Sequence, residues 1–233
     1  NQGFSNYEII LIDDGSPDNC PQICDSLARE SDQIKVIHKD NAGVSKARGE
    51  GINAATGDYV IFIDGDDYIT EGCLPALAEA IEKTGADIIC HGMKVENKQG
   101  VRSFELPYRF GYYEKMDIAN EIFPSLIQTI DAKYFPPSLC GKAIKRELFM
   151  RYNLVDEKAT IGEDGACIIP CIFHANSMYL IKECFYFYRY NDNSATKGKK
   201  VFNWDWPEIV NTHIAHNIDL LGFDFVDQLN RKI

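Results

Sequence analysis

Two aspartates one residue apart, Asp64 and Asp66, follow the apolar run Tyr59-Val60-Ile61-Phe62-Ile63 and are separated by Gly65. Residues two apart on an extended segment point to one side, so both carboxylates can face one hard cation. Mg²⁺ or Mn²⁺ held by one or two carboxylates keeps its other positions for water and substrate phosphates. Gly65 puts no side chain in the way. The plainer account is an acidic turn ahead of the next helix, because an isolated D-x-D is short enough to recur by accident. Two more polar clusters end apolar runs upstream, Asp13-Asp14-Gly15 and Asn41-Ala42-Gly43. Asp14 or Asp13 can bond a base or ribose, or form an Asx turn into Ser16-Pro17. Lys46 and Arg48, early in the helix after Gly43, can meet phosphate or pair with the acidic rim. Pairing is the expectation for Arg48. Downstream, Glu163-Asp164 follows Gly162. Acidic residues suit a helix N-terminus through its dipole. The sharper reading makes Asp164 a general base, a role that contributes a factor of about 10² to 10⁴ in rate.

These residues need elements to position them. Residues 7–12 (YEIILI), 34–38 (IKVIH), 59–63 and 87–90 read as strands. Residues 20–30, 44–55 and 74–84 read as helices, the second closed by Gly57 as a C-cap. The run at 59–63 has the composition of a fully buried strand in the middle of a parallel sheet. Strands alternating this closely with helices predict an α/β fold, with a mostly parallel, doubly wound sheet and helices on both faces. Ligands of such sheets sit beyond the carboxyl ends of the strands, where all three upstream clusters fall. Residues 93–115 read as a hairpin or loop insertion over the sheet edge, and 117–130 as a helix. Residues 140–149 read as a strand turning into a short helix. The tail 202–233, with Trp204 and Trp206, reads as amphipathic helix. It can pack on the domain, join two copies as a homodimer, or rest peripherally on a membrane surface.

Composition narrows the function. Of 233 residues 45% are hydrophobic, which suits a globular protein with a sizeable core. A formal net charge of −11 argues against nucleic-acid binding, which needs a basic face, and suits an anionic ligand bound through a metal. The eight cysteines include no C-x-x-C pair and read as reduced thiols of a cytoplasmic protein. No run of 18 apolar residues is present, and the opening residues do not read as a signal peptide. His213 and His216 read as ordinary helix-surface residues.

In order, Ile9-Ile10-Leu11-Ile12-Asp13-Asp14-Gly15-Ser16, Asn41-Ala42-Gly43 through Ala47-Arg48, Asp64-Gly65-Asp66-Asp67 and Gly162-Glu163-Asp164 resemble the family 2 glycosyltransferases of GT-A fold. Lys142, Arg146-Glu147-Leu148, Phe185-Tyr186-Phe187-Tyr188-Arg189 and Asn193-Ser194 extend the likeness toward bacterial enzymes of capsular, exopolysaccharide and O-antigen synthesis. The resemblance covers residues 1–196 as a GT-A domain, with a nucleotide-binding half at 1–92 and an acceptor-side half at 93–196. Residues 197–233 form a helical C-terminal extension. What it implies is inverting transfer from a nucleotide-diphosphate sugar, UDP-linked, to a hydroxyl of a glycan or lipid-linked acceptor. By the same resemblance Asp13 and Asp14 contact uracil and ribose. Asn41, Gly43, Lys46, Arg48, Gly65, Lys142 and Glu163 line the substrate pocket. Asp64 and Asp66 hold a Mn²⁺ or Mg²⁺ ion, and Asp164 deprotonates the acceptor. The implied location is the cytoplasm, with peripheral contact to the inner face of the cell membrane.

Two departures stand out. The family normally opens with a strand and loop of the type V-S-V-I-I-P-x-Y-N, whereas this sequence begins near the end of the helix that follows it. Gly49 also stands where relatives commonly carry Asn. Two other functions compete: a nucleotide-sugar-binding module without turnover, and a two-metal nucleotidyltransferase. The latter calls for a basic, glycine-rich triphosphate loop, and none is visible.

Overall fold

The computed structural model describes residues 2–191 and 205–232. Asn193, Ser194, Phe202, Trp204 and the boundary expected at 196–197 lie outside them. The first half alternates as the sequence predicts: β1 (Ile9–Asp14), α1 (Cys20–Glu30), β2 (Ile34–Lys39), α2 (Val44–Ala54), β3 (Tyr59–Ile61), β4 (Tyr68–Ile69) and α3 (Cys73–Thr84). A hairpin of β5 (Ile88–Asn97) and β6 (Gly100–Phe104) follows, then β7 (Gly111–Glu114) and the single turn α4 (Lys115–Asp117). The second half adds β8 (Lys142–Lys145), α5 (Arg146–Tyr152), α6 (Glu163–His174), β9 (Ser177–Tyr188), α7 (Trp206–Asn217) and α8 (Phe225–Lys232).

The sheet corrects the expectation of mostly parallel pairing. β1 and β2 pair in parallel as one two-stranded unit, and a seven-stranded sheet runs β3-β8-β5-β9-β4 with β6 and β7 at its margins. In the larger sheet only β5 and β9 are parallel; the β3·β8, β5·β8, β4·β9, β5·β6 and β7·β9 pairs are antiparallel. A short apolar strand buried on both faces reads alike in either sense, so its partner, not its composition, sets the direction. Nor is β3 central or fully buried. It ends the path, pairs only with β8 among the described residues, and Ile63 just beyond it is 47% exposed. β1 likewise pairs only with β2 among them, so among the described residues each strand leaves one edge open.

Helices cover both faces of the larger sheet because its strands alternate. Ile88, Cys90, Ile144, Met178 and Leu180 face the main cluster with α5 to α8, whereas Ile89, Ala143 and Ile181 face α3 through Cys73, Leu77 and Ala80. Two local expectations change. The helix expected at 117–130 is a π-turn over Ile118–Ile122 and a 3₁₀ turn over Phe123–Ser125. Pro124 cannot donate to the helical ladder, and the π-turn brings Ile118, Ile122 and Phe123 into the core together. Gly57 is not a C-cap, since α2 closes at Ala55, whose N–H bonds Gly51 C=O. Gly85, with φ 59°, is the left-handed cap, on α3.

The C-terminal helices join the core. Val210, Ile214, Phe225 and Leu229 are buried in the main cluster. Gln228 is fully enclosed: its Oε1 accepts from Ile127 N–H (3.0 Å) and its Nε2 donates to Phe123 C=O (3.0 Å). Gln228→Leu strands both backbone groups at about 1–3 kcal/mol each. Urea denaturation is therefore expected to show a loss of at least about 2 kcal/mol.

Candidate active site

The end of β1 and the start of α2 are tied by one carboxylate. Asp14 accepts backbone N–H bonds from Ala42 (3.0 Å) and Gly43 (2.8 Å) and pairs with Lys39, while Asn41 Nδ2 donates to Asp14 C=O (2.8 Å). Burial pushes the Asp14 carboxyl up, but Lys39 and the two N–H donors outweigh it and hold it low. Gly15 is obligatory here. Its φ is 72°, and a Cβ would stand 2.7 Å from Asn41 N. Asp13 is buried and bonds His38 Nδ1 (2.9 Å) and Ser16 N–H (3.0 Å), so it braces the strand end.

Arg48 is the centre of the site. From α2 its guanidinium reaches Asp164 and Glu163 (3.4 Å) through Nη1, and Asp64 (3.2 Å) through Nη2. Its side chain is only 12% exposed. Burial opposes its charge, yet Asp164, Asp64 and Glu163 more than compensate, so its already high pKa rises further. Arg48 pairs with the acidic rim, as expected, through three carboxylates. Asp64, Glu163 and Asp164, separated by up to 100 residues, meet on one cation.

Two of the three carboxylates are held from a second side. Asp164 Oδ2 accepts Leu139 N–H (3.0 Å), and Asp64 Oδ2 accepts from the Cys140 thiol (3.7 Å). Burial, then the Asp64 charge, push the Cys140 thiol up to about 12, so it stays a neutral donor. Burial raises the Glu163 carboxyl, as does Asp164, against Arg48. Gly162, with φ 77°, lets the chain turn into α6 beneath Trp206, whose ring atom would be 3.3 Å from a Cβ. The loop before α6 closes on α2: Ser45 Oγ donates to Leu154 C=O (2.6 Å) and accepts Asp156 N–H (3.1 Å). Val155 lies against Gly49, 3.0 Å from where a Cβ would stand.

Two lysines are engaged by the protein itself. Lys142, expected in the substrate pocket, is 2% exposed and donates to Pro136 C=O (3.0 Å) and Ser138 C=O, with its ammonium 5.6 Å from the Phe135 ring centre. It holds the loop that presents Leu139 to Asp164. Lys46 pairs with Glu157 (3.0 Å), so its ammonium too is engaged by protein. Asp66 and Gly65 are exposed. Asp66 Oδ2 meets Asn191 Nδ2 at 3.4 Å. Among the described residues no three His, Cys, Asp or Glu side chains converge as a metal site. Asp64 and Asp66 nonetheless offer the all-oxygen pair that a hard cation shared with phosphates requires. His213 Nε2 donates to Tyr152 C=O (3.0 Å) as a packing residue. Residue-type reasoning missed His38, Lys39, Leu139 and Cys140, which act through neighbours. It also gave Tyr186 and Asp67 no task, although both sit in quoted motifs.

A sequence model of "Glycosyl transferase family 2" matches residues 1–151. The chain belongs to glycosyltransferase family 2. Uncharacterized glycosyltransferase EpsJ of Bacillus subtilis is 33% identical over 202 residues, covering 84% of this chain and 56% of EpsJ. Glycosyltransferase GlyA of Streptococcus pneumoniae is 29% identical over 225 residues, covering 95% of this chain but 31% of GlyA. The family 2 chain thus spans from about a third to about half of these relatives. The crystal structure of S. aureus TarS 1–349 in complex with UDP-GlcNAc superposes with a TM-score of 0.77 at 22% identity, covering 99% of this chain and 64% of that one. That likeness is one of fold, and the fold is GT-A.

Two outcomes follow for this glycosyltransferase site. Arg48→Met leaves three partly buried carboxylates without their shared cation and is expected to lower stability in chemical denaturation, by less than the about 3–5 kcal/mol of a fully buried broken pair because Asp64 is 42% exposed. His38 is raised above its ordinary 6.5, by Asp13 first and then Asp25. A raised folded value means its stabilisation is complete below 6.5 and lost as pH climbs through the folded value. Urea midpoints across that window should fall in the parent chain and flatten in His38→Gln.

Proposed function

We propose that the chain is an inverting, metal-dependent transferase, moving a sugar from a UDP-sugar to a hydroxyl of a glycan or lipid-linked acceptor in bacterial surface polysaccharide synthesis. The observation that carries this reading is the convergence of Asp64 and Asp164 on Arg48. It puts a carboxylate of the donor side and one of the acceptor side around a single charge. The UDP-GlcNAc complex of TarS supports the donor class, and likeness to minor teichoic acid biosynthesis protein GgaB of B. subtilis, 28% identical over 207 residues, supports the polymer class.

Asp164 takes the proton of the acceptor hydroxyl as that oxygen bonds the anomeric carbon and the bond to UDP breaks. One base and no enzymic nucleophile suffice for a single inverting displacement through an oxocarbenium-like state. Leu139 N–H and Arg48 orient the carboxylate for it. Asp14 shapes the nucleotide side, and its Oδ2, bonded to Gly43 N–H, has capacity for one more donor such as the uracil N–H. Asp64 and Asp66 would hold Mn²⁺ or Mg²⁺, which when bound offsets the charge growing on departing UDP. Among the described residues no helix is long and apolar enough to cross a membrane. A cytoplasmic enzyme touching the inner membrane face suits a lipid-linked acceptor. Leu221 (93% exposed) and Phe223 (41%) in the turn between α7 and α8, with Val226 (46%) on α8, are exposed apolar side chains available to that surface or a second copy.

The open edges of β1 and β3 favour a second reading, in which an incomplete pocket binds the donor without turnover. Calorimetric titration of UDP with and without Mn²⁺ tests the donor site: the parent is expected to bind in a Mn²⁺-dependent way and Asp66→Ala is not. Binding indifferent to both overturns it. A UDP-release assay then separates the readings, with Asp164→Asn expected to bind UDP normally and turn over about 10² to 10⁴ times more slowly.

A further inference from the structure

Strand β9 ends against the turn that carries Asp64 and Asp66. Tyr186, only 1% exposed, donates its hydroxyl to Asp67 Oδ2 (2.7 Å) and accepts the backbone N–H of Asp64 (3.3 Å). Asp67 Oδ1 accepts Arg189 N–H (2.9 Å), and Asp67 N–H closes the turn on Asp64 C=O (3.0 Å). Arg189 Nε donates to Asp66 C=O. The main chain on both sides of Gly65 is therefore fixed from β9, through a residue 119 positions away in sequence from Asp67. Among the described residues, none beyond its two chain neighbours lies within 4 Å of where a Cβ on Gly65 would stand.

Both Asp67 oxygens are engaged by protein donors. Asp67 thereby acts as a strut between the turn and the end of β9. A cation shared by two carboxylates binds tightly only if their backbone is fixed before the cation arrives, and outer partners of metal ligands typically govern about 10- to 100-fold in affinity.

We propose that Tyr186 and Asp67 are a positioning pair that sets the Asp64–Asp66 turn for the divalent cation. This rests on the reading of Asp64 and Asp66 as its ligands. The test is Mn²⁺ binding at saturating UDP, followed by electron paramagnetic resonance of the free ion, in the parent chain, Tyr186→Phe, Asp67→Asn and Asp66→Ala. Tyr186→Phe and Asp67→Asn are expected to weaken Mn²⁺ about 10- to 100-fold while metal-free UDP affinity stays within about twofold. Retained Mn²⁺ affinity in both variants, with Asp66→Ala defective, overturns the pair and leaves the metal reading standing. A parallel loss of metal-free UDP affinity also overturns it, because that is the mark of general damage. A parent chain that binds no Mn²⁺, or an Asp66→Ala chain that binds it as well as the parent, overturns the metal reading and the pair with it. Should Tyr186→Phe fail to fold, Asp67→Asn, a near-isosteric change at a half-exposed site, decides alone.

Discussion

One nearly buried guanidinium, that of Arg48, holds this site together. Asp64, Glu163 and Asp164 crowd into a space that three negative charges would not share unaided, and Arg48 is the cation they meet on. A charge network this enclosed is a weak device for stability, because desolvation consumes most of the attraction. Its value is geometric. The planar fork of Arg48 fixes where carboxylates from the β3 end and from the start of α6 stand relative to each other. A lysine in its place would offer one point charge with no such fork.

Around that centre, each segment is held from outside. Lys142 gathers the carbonyls of Pro136 and Ser138 so that Leu139 N–H faces Asp164. Trp206 lies against Gly162 at the entry to α6, bringing the C-terminal helices into the support of the site. Ser45 and Lys46 tie the start of α2 to the loop before α6. None of these residues need touch substrate. Rigidity around the reacting groups is what converts their chemistry into rate.

The site was partly legible in sequence because polar residues that terminate apolar runs must lie at strand ends. Asp14, Asn41 and Asp64 declare themselves in that way, and Asp164 does so as an acidic residue at a helix N-terminus. The pairing of β3 with β8 did not, because it joins Tyr59 to Lys145 and no local pattern encodes so distant a partner. Lys142 misled since lysines are rarely enclosed, and only the carbonyls folded around it reveal why this one is. Tyr186 was hidden inside Phe185-Tyr186-Phe187-Tyr188, where a hydroxyl with a specific task looks the same as an aromatic strand residue. Helix 117–130 failed for a simpler reason, the lack of an N–H at Pro124.

On the proposed function, donor and acceptor chemistry meet across Arg48. Anomalous diffraction from crystals grown with UDP and Mn²⁺ is the decisive test, because manganese scattering marks the cation without reference to any side chain. The expected result is a single peak at the Asp66 carboxylate, the diphosphate beside it, and Arg48 still bridging Asp64 and Asp164. A manganese peak away from Asp64 and Asp66, or an Arg48 that has left Asp164 with the donor in place, would contradict it.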